Sequence, residues 1–329
     1  MSGHLTTKDY GEGSDGITHT EVEIVIPTLN EESSIGELIQ DIRRLNLTLP
    51  VRISILIVDG GSTDETLQVC RRENAKFIVQ SGRGKGIAMR QAVEGSKADI
   101  LVFMDGDGTY SPSDLENLLR PLLDGTADMV VGSRMIEKMN KGSVPRLNRF
   151  GNKLFNRSIN FALGSTVSDS LSGYRAMYRR TFDTFILFSD KFEIEVEITV
   201  EALSNGFRIL EVPVTYMARK DLAKTKLHPF SDGIGIGRAL LFILMNVNPL
   251  RFFGLISLCF FIVGLYPTSL VLFEKAVLGD IIHLPSVIFA SLLFLMSAIS
   301  LVLGLISELI VRSRKRCEYL IRMANNHHR

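Results

Sequence analysis

The chain has only three cysteines, no tryptophan and no surplus of either charge. Lys and Arg number 37 against 36 Asp and Glu, a formal net charge of +1, so nothing in the bulk charge draws it to nucleic acid. Cys70, Cys259 and Cys317 stand far apart. They have neither the paired spacing of a zinc site nor the density of a disulfide framework, and a reduced, cytosolic catalytic part is the simplest expectation. Residues 1–20 are polar, rich in Gly, Ser and Thr, and lack the apolar stretch of a signal peptide; they read as a loose tail. Before Pro249 no long uninterrupted apolar run occurs, so the excess within a 46% hydrophobic content is concentrated behind that proline. This asymmetry implies a soluble front and a membrane-embedded back.

The front half alternates strands and helices. Glu21–Pro27, Val51–Asp59, Lys76–Gln80 and Asp128–Gly132 read as strands, and Ser33–Leu45, Lys85–Ser96 and Ser113–Leu123 as helices. Ser62 with Glu65 resembles a capping box opening a further helix. Such an order predicts a parallel sheet with right-handed crossovers. At its centre lies Asp99–Tyr110, DILVFMDGDGTY, an apolar run suited to a buried strand that ends in two carboxylates. Asp105 and Asp107 share a face of an extended segment, at the strand end where open α/β sheets bind ligands. Carboxylates so placed repel unless a cation lies between them, and hard oxygen donors favour magnesium or manganese. Gly106 and Gly108 allow close backbone approach. The bland alternative is an acidic surface turn. Asp59 closes the second strand alike, and an isolated strand-end Asp is an ordinary turn former. Parallel strand ends share one edge, however, so Pro27–Glu31, Asp59 and the Asp105/Asp107 pair converge there. The glycine-rich piece Ser81–Gly86, SGRGKG, is neither a P-loop nor a dinucleotide fingerprint. It either presents Arg83, Lys85 and backbone N–H groups to phosphate or simply connects.

Farther on, Pro145–Leu163 reads as a helix with proline at its first position. Arg146, Arg149, Lys153 and Arg157 recur at intervals that put them on one face. That stripe is either a solvated face or, with Arg134, Arg219, Lys220, Lys224 and Lys226, a site for an anionic lipid headgroup. Asp169, Ser172, Gly173 and Arg175 form a compact polar loop, which as a plain turn needs only an Asx-type bond. Phe192–Leu203 is a helix with Glu193, Glu195, Glu197 and Glu201. Glu197 and Glu201 at i, i+4 would weaken an exposed helix, which points to a role near the site. Arg208–Val214 reads as a closing strand, with Pro213 suited to an edge. Phe252–Phe273 and Leu284–Ser307 are uncharged and exceed the about 20 apolar residues that span a bilayer; Pro267 is expected to kink the first. Arg251 before them and Arg312, Arg314, Lys315 and Arg316 after them place both ends in the cytoplasm by the positive-inside rule. Asp232–Asn246 is too short to span and reads as an interfacial helix.

VIPTLNEE, IVDGGSTDET, GRGKGIAMRQA, FMDGDGTY and VVGSR, in that order, resemble the inverting GT-A glycosyltransferases of family two. DSLSGYRAM, KFEIEVEITVEALSNGFRILEVPVTY and HPFSDGIGIGRAL ahead of a membrane hairpin narrow the resemblance to the polyprenyl-phosphate hexosyltransferases, the dolichol-phosphate mannose synthase-like group, over Glu21–Arg316. The resemblance implies a Rossmann-like, mostly parallel GT-A catalytic domain over residues 21–230. Behind it come an interfacial helix (231–249), two transmembrane helices within 250–311 and a basic tail (312–329).

By the same resemblance, Pro27, Leu29, Glu31 and Asp59 hold base and ribose, while Asp105 and Asp107 carry Mg2+ or Mn2+ and the diphosphate. With Lys85 and Gly106 these make the donor site. Thr109 departs from the pattern, where mannose synthases often have Gln, and leaves the third protein ligand of the metal open. The acceptor phosphate falls to Arg134, Arg149, Lys153, Arg219 and Lys226, and the sugar pocket to Asp169, Ser172 and Glu195. The expected reaction moves a hexose, with inversion, from a nucleotide sugar of the UDP-glucose or GDP-mannose type to a polyprenyl or dolichyl phosphate at the cytoplasmic membrane face. The partners are then donor, lipid acceptor and membrane, with no nucleic acid; a homo-oligomer is left open. A phosphate with its second pKa at about 6 is mostly ionised at neutral pH and needs no general base. It needs charge neutralisation, the work expected of Arg134, Arg149 and Arg219. A processive polysaccharide synthase of the same fold would carry more spans and a Q-x-x-R-W motif, which a chain without tryptophan lacks. A non-catalytic, membrane-anchored nucleotide-sugar-binding protein is the other alternative.

Overall fold

The computed structural model describes residues 19–135, 153, 156–160, 163–191, 193–217, 245, 248–279 and 283–326. Arg149, Arg219, Lys226 and most of the expected interfacial helix lie outside the described residues.

Two strands form the centre because both of their faces are apolar. β1 (Thr20–Thr28) sends Val22, Ile24 and Ile26 to one side and Val25 to the other, and β4 (Ile100–Phe103) is wholly buried. With β2 (Val51–Asp59), β3 (Lys76–Val79), β5 (Met129–Ser133), β6 (Arg175–Tyr178) and β7 (Ile209–Pro213) they make one seven-stranded sheet in the order β3-β2-β1-β4-β6-β5-β7. All neighbours pair in parallel except at β6, which runs antiparallel to both β4 and β5. The sheet is thus mostly parallel, as expected, with β6 the one reversed strand among those described. The polar loop before β6 returns the chain to the sheet from the site edge, so β6 enters in the reverse sense. Pro213 does lie on an edge strand, where a missing N–H costs no ladder bond.

Helices cover both faces. On one, α1 (Ile35–Arg43) buries Ile35, Leu38, Ile39 and Ile42, and α4 (Leu115–Leu123) buries Leu115, Leu118, Leu119 and Leu122, each the i, i+3, i+4, i+7 stripe of a helix facing a core. α2 (Thr66–Arg72) adds Cys70 to that side. The opposite face is covered by α3 (Lys85–Gly95), the short α5 (Arg179–Phe182) and α6 (Ile194–Ser204). The first connection leads from β1 to β2, whereas β4 lies on the other side of β1, so the strand order reverses between β1 and β4. The crevice at their carboxyl ends is the ligand position of this architecture.

The back of the chain is a helical hairpin, α7 (Pro249–Leu278) and α8 (Leu284–Asn326). The most apolar windows of Pro249–Leu278 and Leu284–Arg314 have mean hydropathies of 2.2 and 2.5, and only 17% and 22% of those windows is buried. Core helices of a soluble protein would be covered by protein, so this pair fits a transmembrane hairpin. Small residues set the helix contact. Gly264 lies against Leu293 and Phe294, Gly304 against Phe253, and the Ser257 and Ser297 hydroxyls meet at 3.0 Å. α7 continues unbroken through Pro267, beside which the Thr268 hydroxyl donates to the Gly264 carbonyl at 2.8 Å.

Candidate active site

Two turns are stitched together at the ends of β1 and β2. Asp59 is fully buried; one carboxylate oxygen accepts the Gly61 and Ser62 N–H groups, each at 2.9 Å, and the other the Ser62 hydroxyl at 2.5 Å. The Ser62 hydroxyl in turn accepts the Asn30 N–H at 2.9 Å, and the Asn30 side chain accepts the Thr63 N–H at 2.8 Å. The expected capping box of Ser62 and Glu65 is therefore absent. The Ser62 hydroxyl is committed to the β1–β2 rim, and Asp64 accepts the Thr66 N–H at 3.0 Å where α2 begins. Leu29 stands 42% exposed on this rim, an apolar surface beside polar turns. Glu31 is held there through its N–H, which donates to the Thr66 hydroxyl at 2.9 Å, and Pro27 pairs in register with Val58.

Across the crevice β4 delivers Asp105 and Asp107. Gly106 between them is required by crowding, since a Cβ there would lie 2.6 Å from Thr28 Cγ2, and its carbonyl accepts the Ser34 hydroxyl at 2.8 Å. Asp107 is braced by Thr109, whose N–H and hydroxyl donate to one of its oxygens at 3.1 and 2.6 Å. The residue that departs from the family pattern thus fixes the carboxylate's direction. Asp105 rests on the backbone of the polar loop: a Cβ on Gly173 would come 2.5 Å from Asp105 Oδ2. Its other oxygen accepts from Lys85 Nζ, which also donates to Glu195. Burial alone would lower the Lys85 pKa, but Asp105 and Glu195 outweigh burial and raise it, so the ammonium stays charged. Burial raises Glu195, and Lys85 opposes that shift.

The polar loop is a rigid shelf. Arg175, fully buried, donates to the Ser170 and Ser172 carbonyls and, at 2.8 Å, to that of Glu195. The Ser172 hydroxyl donates to the Gly132 carbonyl at 2.6 Å. Asp169 is fully buried and grips Arg134, whose Nε and Nη2 both donate to it at 2.8 Å and whose backbone N–H donates at 3.0 Å. Glu211 on β7 accepts the Ser168 and Asp169 N–H groups, and the Asn156 side chain ties Ser168 to Ser170. Arg134 also packs 5.4 Å from the centre of the Tyr216 ring. Asp169 and Ser172, both fully buried, brace the site from inside.

The glycines of Ser81–Gly86 answer to packing. A Cβ on Gly84 or Gly86 would meet the carbonyl oxygen of Asp190 or Ser189 at 2.1 Å, and the Gly86 N–H donates to the Asp190 carbonyl at 2.9 Å. Glu197 accepts the Phe188 and Ser189 N–H groups at 2.9 Å and holds that segment in place. Glu201 bonds Asn205, one turn on. Gly86→Ala is expected to cost about 1–3 kcal/mol of overpacking. Thermal unfolding reads this as a fall in Tm of roughly 5 °C.

Strand ends, Lys85 and the shelf are thus brought together, while Lys153 and Arg157 are exposed. The Lys85–Glu195 bridge, the Thr109 brace and the Glu211 and Asn156 supports were not readable from spacing, because each joins segments distant in sequence or depends on rotamer.

This fold and its acidic strand end define a GT-A glycosyltransferase. The description Glycosyl transferase family 2 matches residues 23–185. Glycosyltransferase AglJ of Haloferax volcanii is 37% identical over 298 residues, 89% of this chain and 95% of that protein. A dolichyl-phosphate hexose transferase of the same organism is 34% identical over 223 residues, 68% of this chain and 93% of that one. A crystal structure of Mycobacterium tuberculosis glucosyl-3-phosphoglycerate synthase with Mn2+ and UDP-glucose superposes with a TM-score of 0.55 at 22% identity, over 71% of this chain and 84% of the other; that likeness shows the fold. The chain belongs to glycosyl transferase family 2.

Proposed function

We propose that this enzyme transfers a hexose from a nucleotide sugar to the phosphate of a membrane-borne polyprenyl or dolichyl phosphate. The observation that carries the reading is the Asp105/Asp107 pair at the β1–β4 switch point of a chain that ends in an apolar hairpin. The relative named as a dolichyl-phosphate hexose transferase supports the acceptor class.

Among the described residues no cluster of three His, Cys, Asp or Glu side chains offers a complete metal cage. Magnesium commonly takes one or two carboxylates and completes its shell with substrate phosphates and water, so two braced carboxylates fit such an ion. Asp105 and Asp107 would hold it, and it would supply Lewis-acid stabilisation of the departing diphosphate. Leu29 and the turns at Glu31 and Asp59 form the wall for base and ribose. Lys85 sets a fixed positive charge beside Asp105. In-line attack by an acceptor phosphate oxygen forms the new bond to the anomeric carbon as its bond to the donor diphosphate breaks, and that carbon inverts. The attacking oxygen is already ionised, so no base is required. Arg134, with Arg149, Lys153, Arg219 and Lys226, would offset the acceptor charge. The basic residues at the shared end of the hairpin support a cytoplasmic face for this chemistry by the positive-inside rule.

Detergent-solubilised protein incubated with labelled UDP- and GDP-hexoses and a short polyprenyl phosphate is expected to give label in the organic extract, dependent on Mg2+ or Mn2+. Label in a long water-soluble polymer, or none with any donor, overturns the reading.

A further inference from the structure

Lys85 donates from one ammonium to two carboxylates, Asp105 at the acidic strand end and Glu195. Its side chain is 8% exposed and lies between Asp105 and the equally buried carboxylate of Glu195. Both ends of this bridge are rigidly mounted. The Gly86 N–H and the Asp190 carbonyl fix the start of α3, and Arg175 fixes the start of α6 through the Glu195 carbonyl. Arg90 adds a second tie, donating to Asp190 at 2.6 Å. An ammonium so held cannot swing into solvent when another cation reaches Asp105; it can only divide itself differently between its two carboxylates.

We propose that Lys85 and Glu195 form a latch on Asp105: a tethered ammonium that competes with the divalent cation for this carboxylate, and a counter-carboxylate that draws the ammonium off. The proposal rests on the donor-site reading above and adds two positioning residues to it. With no nucleotide bound, the Lys85 charge opposes the incoming ion, and Glu195 weakens that opposition. Once a diphosphate arrives, the same ammonium gains a third anion to neutralise. The latch therefore makes cation binding depend on the donor, and bare metal is held poorly. Charges a few ångströms apart at a partly buried site interact strongly enough to shift affinity by an order of magnitude.

The two members of the latch act with opposite signs, which a merely structural pair would not. Mn2+ binding to full-length, nucleotide-free protein in detergent is followed by the electron paramagnetic resonance signal of free Mn2+. Lys85→Met is expected to bind Mn2+ about 10-fold more tightly than wild type, and Glu195→Gln several-fold more weakly. Adding UDP or GDP reverses the Lys85→Met effect, because the diphosphate then lacks its ammonium. Lys85→Met takes the ammonium from the buried Glu195 and the partly buried Asp105 carboxylates and is the variant at risk of misfolding, so the double variant Lys85→Met/Glu195→Gln is compared with Glu195→Gln. It should bind Mn2+ more tightly than that single variant. Equal or weaker binding by the double variant overturns the latch alone. Asp107→Asn titrating like wild type instead brings down the metal reading of the site, and the latch with it.

Discussion

Asp107→Asn is expected to lower kcat/KM for hexosyl transfer at least about a thousandfold, ~4 kcal/mol of transition-state stabilisation, while leaving the fold intact. The substitution keeps an oxygen that can accept the Thr109 N–H and hydroxyl, so the turn after β4 retains its brace. Asp107 is only partly buried, and Tm should move by no more than about 2 °C, as for a substitution outside the core. What disappears is the negative charge at the strand end. A variant that stays folded yet transfers hexose at the wild-type rate would remove the acidic pair from the chemistry. Asp105→Asn has a different pattern. It strips Lys85 of one of two partners inside the protein, so some loss of stability should accompany the loss of activity. Comparing the two separates the carboxylate that faces the chemistry from the one that also holds the architecture.

The parts of this molecule that follow a short period were legible in its sequence. DILVFMDGDGTY shows a buried strand and two carboxylates on one face, and the structure places that strand fourth in chain order and next to β1. The apolar stripes of α1 and α4 and the two long apolar runs were equally plain. Long-range pairings were hidden. Lys85 and Glu195 are 110 residues apart, and nothing in either segment names the other. The glycines at 84 and 86 suggested a phosphate loop or a loose connection, yet their need arises from carbonyls at 189 and 190. Asp59 read as a candidate ligand and as a turn former; its carboxylate accepts three hydrogen bonds from its own turn and stiffens the rim. A mostly parallel sheet was expected, but the place of the reversal at β6 had no signal, because a strand of four residues reads alike in both directions.

The second large effect concerns the buried pair Arg134–Asp169, where stability and charge delivery can be told apart. Asp169 is fully buried and Arg134 15% exposed, joined by two side-chain hydrogen bonds in the fork geometry that only arginine provides. Arg134→Gln removes the guanidinium that neutralises a buried carboxylate while leaving its hydrogen bond from the residue-134 N–H, a loss of about 3–5 kcal/mol. For a domain of this size that corresponds to a fall in Tm of roughly 10 °C. Asp169→Asn strands the guanidinium in the same way and should cost a similar amount. The double variant Arg134→Gln/Asp169→Asn carries no charge at this pair, and its glutamine and asparagine can hydrogen-bond each other, so much of the stability should return. Activity should not return with it if Arg134 also offsets the acceptor phosphate, since the positive charge is gone in both backgrounds. The measurement is a double-mutant cycle in Tm alongside the KM for polyprenyl phosphate. A double variant restored in both stability and acceptor KM would assign Arg134 to the scaffold alone. Restored stability with a KM still raised at least about tenfold, ~1.4 kcal/mol, would show that the pair holds Asp169's loop in shape and aims the remaining guanidinium edge toward the incoming lipid.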